Sequence, residues 1–174
     1  MSVRLSRAGC VSLGFDGRKS CLYDSAAMST AFHSWYSLPE LLALAERGVV
    51  LEGTIDLARF GRLTGLLNSS QGAARARMSF RRSHDDVLLL ELECKAALEL
   101  ICQRCLEPVV HEVSERVDYA LAETEDSFAV LSQGMDLITL DGDRFQPASL
   151  IEDELIVSLP LVPRHGDDQH RGEN

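Results

Sequence analysis

With 174 residues, 45% of them hydrophobic and 25% charged, this chain can bury one core, and no break in composition asks for a second. Its longest apolar stretches, a few residues around Val87 to Leu90, fall far short of the about 18 a membrane helix needs, which excludes a helical span. The net charge of −10 is lopsided: residues 1–108 hold 13 Lys and Arg against 12 Asp and Glu, residues 109–174 hold 4 against 15, and six arginines stand between Ala58 and Ser83 without a carboxylate.

Residues 1–27 show little periodicity and read as a loose extension, with Met28 as an alternative start. Residues 28–163 read as one domain and 164–174 as a polar, mobile tail. Ser37-Leu38-Pro39-Glu40 is a capping box with proline in the first turn, so a short amphipathic helix is expected over 38–47, closed by Gly48. The period then changes to two. Leu51, Ile55 and Leu57 alternate with Glu52, Thr54 and Asp56, and Ala74, Ala76, Met78 and Phe80 alternate with Arg75, Arg77, Ser79 and Arg81.

After a polar turn at His84-Asp85-Asp86, strands resume at Val87 and run to Cys102, with Cys94, Ala96, Leu98 and Leu100 on one face. A turn ends at Pro108, and Val109, Val113, Val117, Tyr119 and Leu121 mark a long strand. An acidic loop is expected over 123–134, a short strand over Asp136–Leu140 and a turn at Asp141-Gly142-Asp143. Ser149 and Glu152 form a second capping box, placing Glu152, Asp153 and Glu154 in a first turn where the helix dipole favours negative charge; Pro160 stops this helix. The pattern describes an α+β fold: a curved antiparallel meander, open or barrel-like, flanked by an N-terminal and a C-terminal helix.

Chemistry concentrates at Cys102-Gln103-Arg104-Cys105. The five cysteines are odd in number and unevenly spaced, which points to a reducing, cytoplasmic compartment. A structural zinc site wants four ligands, of which Cys102 and Cys105 supply two. Cys94 and His111 are the nearest supplements in sequence, ahead of Cys10, Cys21, His165 and His170. A redox pair would sit at a helix N-terminus, whereas this pair lies between two strands. The reading favoured by the residues alone is a tight turn that projects Arg104, with no cofactor; a small zinc-binding protein is the alternative. Arg75, Arg77 and Arg81 line one strand face and could track RNA phosphates or simply face water. No phosphate loop, nucleophile elbow or metalloprotease motif is present in the sequence, so a non-enzymatic role is expected.

"LELICQRCLEP", residues 98–108, taken with "LIEDELIVSLPLVPRH", residues 150–165, closely resembles the YceD family, the bacterial large ribosomal RNA subunit accumulation proteins. The likeness spans roughly Ser37 to His165. It implies a cytoplasmic role in the synthesis, processing or stability of 23S rRNA, and its motif positions are Cys102, Arg104 and Cys105, then Glu152, Asp153, Glu154, Leu159, Pro160, Pro163 and His165. Charge asymmetry adds an expectation about mechanism: a bipartite adaptor whose arginine region meets rRNA or a pre-ribosomal particle. Its acidic half would meet a basic ribosomal protein or biogenesis factor. A protein-binding module acting indirectly on rRNA is the alternative.

Overall fold

A computed structural model describes residues 31–83, 87–122, 135–140 and 144–166. The expected extension over 1–27, the His84 turn, the 123–134 loop and the turn at 141–143 lie outside these residues. In chain order the elements are β1 (Tyr36–Ser37), α1 (Leu38–Glu46), β2 (Val50–Asp56), two short 3-10 turns (Leu57–Arg59 and Leu63–Leu66), β3 (Ala73–Arg82), β4 (Leu88–Ile101), β5 (Pro108–Ala122), β6 (Asp136–Thr139), β7 (Arg144–Phe145) and α2 (Pro147–Val157). None of the described helices is long and apolar enough to cross a membrane.

The five-stranded sheet has the order β2-β3-β4-β5-β6, and β1 pairs with β7 in a separate ribbon. The fold is α+β, as expected. The sheet is not closed into a barrel: β2 and β6 are its two edges. It is also not wholly antiparallel, because β6 runs parallel to β5, with Tyr119 opposite Asp136 and Ala122 opposite Thr139. Residues 123–135 are enough chain for the crossover a parallel pair requires, and strand direction leaves no trace in a four-residue pattern.

Period-two alternation places the core. Along β3, Ala74, Ala76, Met78 and Phe80 are buried while Arg75, Arg77 and Arg81 are exposed. Along β4 the buried set is Leu88, Leu90, Leu92, Cys94, Ala96, Leu98 and Leu100. Register keeps like with like across the strands: Met78 stands opposite Leu92, and Leu92 opposite Val117. Leu41 of α1 joins this core, as do Ile151 and Leu155 of α2.

Helix α1 begins as the capping box predicts, with the Ser37 N–H and Oγ–H both donating to Glu40 Oε2 at 2.8 Å. Its end is a Schellman motif. Gly48 takes φ +59°, its N–H reaches the Ala45 carbonyl at 3.1 Å, and the Val49 N–H reaches Leu44 at 3.0 Å. Helix α2 does not start at Ser149. Gln146 is its N-cap and Pro147 its first residue, so Glu152 is six residues in, beyond the first turn, which contains no acidic residue. Two start signals competed there, and proline at the first helical position prevailed over the serine cap.

Candidate functional site

Pro147, Ala148, Ile151 and Leu155 form the buried stripe of α2, and Glu152 lies in the same stripe, only 8% exposed. A carboxylate there must be satisfied locally. Its Oε1 accepts the backbone N–H groups of Arg62 at 2.6 Å and Leu63 at 3.0 Å, and its Oε2 accepts the Arg62 guanidinium at 3.1 and 3.2 Å. Those two N–H groups open the 3-10 turn Leu63–Leu66, so Glu152 caps a turn some 90 residues away in sequence. Burial raises the Glu152 carboxyl, but the Leu63 and Arg62 N–H groups and the guanidinium outweigh it and hold it below its ordinary value.

Asp153 turns outward to accept Arg62 Nη1 at 2.6 Å. Glu154 accepts the Tyr119 hydroxyl, and burial followed by that bond raises the phenol far above its usual range. Glu152 and Asp153 therefore share the Arg62 guanidinium, while Glu154 turns to Tyr119 instead. An open hollow of about 480 Å³ beside Asp153, lined among others by Trp35, Leu140 and Phe145, borrows only this already paired acid.

The second motif's tail returns to the β4–β5 hairpin. Across the tip, the Cys102 N–H donates to the Glu107 carbonyl and the Leu106 N–H to the Cys102 carbonyl, both at 2.9 Å. From the other segment, the Pro163 carbonyl accepts the Gln103 N–H at 2.9 Å. His165 completes the junction: its Nε2 lies 3.0 Å from the Pro108 carbonyl and its Nδ1 3.4 Å from Cys105 Sγ. Cys102 is buried and Cys105 exposed. Burial raises the Cys102 thiol, but hydrogen bonds from the Cys105, Arg104 and His165 backbones and from the Cys105 side chain overcome it and bring it down to about 5. Arg104 projects into solvent.

Leu106 adopts φ +62° at this tip while 72% exposed. A left-handed conformation costs a β-carbon-bearing residue on the order of 1 kcal/mol, and glycine pays little of it. Leu106→Gly is expected to stabilise the protein by about 0.5–1 kcal/mol, readable as a higher urea midpoint at unchanged slope.

The neighbours named from sequence as zinc supplements lie elsewhere. Cys94 sits in the sheet core, where burial pushes its thiol up to about 11. His111 Nε2 lies 3.1 Å from the Ser158 carbonyl. His165, ranked below both, is the histidine at the cysteine pair, and only its place in the second motif hinted at this. Arg62 had no signal at all: counted among the patch of arginines, it is committed to Glu152 and Asp153.

Arg75, Arg77 and Arg81 project from the outer face of β3 among acids. Arg77 pairs with Glu52 at 3.9 Å and Arg81 with Asp118 at 3.3 Å, while Arg116 of β5 bridges Glu91 at 2.6 Å and Glu93 at 3.3 Å. Arg75 stands opposite Lys95 and Thr54. The patch is cationic in sequence and mixed in space.

No curated protein and no solved structure matches the chain. A family model does: residues 90–174 match the one described as large ribosomal RNA subunit accumulation protein YceD, a span that holds both motif segments and the cysteine–histidine junction, though not the Arg62 and Leu63 that Glu152 binds. Over those residues, just under half of the chain, the sequence is similar to the YceD family, the family its two motifs resemble.

Proposed function

We propose that this protein supports the accumulation of 23S rRNA during large-subunit biogenesis as a non-catalytic adaptor. The family match supports the ribosomal role. The RNA-contacting half of the reading rests on one observation: Arg75, Arg77 and Arg81 leave the same exposed face of one strand, at alternate positions. Their ion pairs with Glu52 and Asp118 are solvent-exposed and worth at most about 1 kcal/mol each, so phosphates can compete for these guanidiniums. The acidic half would meet a basic ribosomal protein or biogenesis factor.

A second reading has its own support. Glu52, Glu91, Glu93 and Asp118 interleave with the arginines, and such an alternating face suits a protein surface of complementary charge better than a polyanion. The effect on rRNA would then be indirect.

Titrating a 23S rRNA fragment at several salt concentrations separates the two. Under the adaptor reading the wild-type affinity falls steeply with salt, and the triple variant Arg75→Glu, Arg77→Glu, Arg81→Glu loses most of it, flattening the salt slope by roughly one unit per lost contact. Equal binding by wild type and a folded triple variant would sink the RNA half and favour the protein-binding module.

A further inference from the structure

The three thiol and imidazole donors at the hairpin tip have no assigned task. We propose that Cys102, Cys105 and His165 bind one Zn²⁺ ion, which staples the β4–β5 hairpin to the segment that follows α2. This goes beyond the adaptor reading and does not depend on it.

Their ligand atoms all lie within 4.8 Å of one another. A tetrahedral zinc with bonds of about 2.3 Å to sulfur and about 2.05 Å to nitrogen separates a sulfur from a nitrogen ligand by ~3.6 Å. The Cys105 Sγ to His165 Nδ1 distance is already 3.4 Å. The imidazole tautomer follows from its other contact. A carbonyl only accepts, so at 3.0 Å from Pro108 O the His165 Nε2 carries the proton, and Nδ1 turns its lone pair toward the sulfurs. A ligating histidine anchored to a backbone carbonyl through its other nitrogen is the usual outer support of a metal site.

One of the two sulfurs, that of Cys102, is supported in a comparable way. Backbone N–H groups of Arg104, Cys105 and His165 hydrogen-bond Cys102, an arrangement that stabilises a thiolate and not a thiol. A nucleophilic cysteine would need to meet substrate, yet Cys102 is fully covered. Two thiolates with one neutral imidazole favour zinc over the hard cations, and they neutralise its charge. Binding forms two Zn–S bonds and one Zn–N bond, releases to solvent whatever protons the two thiols still carry, and involves no oxidant. The fourth position of the tetrahedron is left to a donor beyond this trio, water included.

The test uses the full chain, purified under reducing conditions. Elemental analysis should find about one zinc per chain, and Co²⁺ added to the chelator-stripped protein should give the intense visible bands of a tetrahedral thiolate site. Cys102→Ser, Cys105→Ser and His165→Ala should each lower metal affinity at least tenfold. A Cys10→Ser, Cys21→Ser double variant and Cys94→Ala should retain it. Absence of stoichiometric metal in the wild type, or undiminished affinity in Cys102→Ser and Cys105→Ser, overturns the proposal. Because the wild-type measurement alone can refute it, a variant that fails to fold does not shelter it.

Discussion

Replacing Glu152 by alanine is expected to cost about 2–4 kcal/mol. The side chain satisfies two backbone N–H groups, one belonging to the fully buried Leu63, and a buried donor left unpaired costs about 1–3 kcal/mol. The guanidinium contact adds little, since the Arg62 side chain is 54% exposed. Glu152→Gln should lose less, keeping an oxygen for one N–H while presenting an amide to the rest. Acid should reveal the mechanism. Glu152 has its carboxyl held below the ordinary 4.5, so its contribution is fully present above that value and disappears as pH falls through the lower folded value. Urea unfolding followed by far-UV circular dichroism should therefore show the gap between wild type and Glu152→Gln narrowing from pH 7 toward pH 3. A gap unchanged over that range would show that charge has no part in it.

Ile151→Ala, one residue earlier, should be as damaging for a different reason. Ile151 is fully buried in the core cluster that α2 shares with the sheet. Truncation removes its transfer free energy and leaves a cavity, together about 2–5 kcal/mol. No proton is linked to that loss, so the deficit should stay constant between pH 7 and pH 5 while the unfolding slope is preserved. Since Ile151 and Glu152 both anchor the same helix, their double variant should lose less than the sum of the two. Strict additivity would mean that the apolar and polar anchors act independently.

These two neighbours also show how far local pattern carries. Ile151 was not picked out along the sequence, whereas the strand faces of β3, β4 and β5 emerged from alternation alone. Helix α1 was legible at both ends because Ser37, Glu40 and Gly48 act through bonds to residues a few positions away. Glu152 was misassigned because a capping box and a buried, distantly bonded carboxylate share the same letters. What distinguishes them is the Arg62–Leu63 backbone, and no local rule reaches that far.

The same boundary divides the candidate site. Two motif segments could be picked out along the chain, since their residue types and spacings are properties of contiguous sequence. Their convergence at Gln103–Pro163 and Cys105–His165 could not, nor could the neutral pairing of the β3 arginines with Glu52 and Asp118. Period and capping depend on neighbours within about one turn or one strand, so the amino-acid order suffices for them. Pairing depends on sheet order, on the parallel placement of β6 and on where α2 ends. Those follow only once the whole core has closed and brought residues about 60 to 90 positions apart into contact.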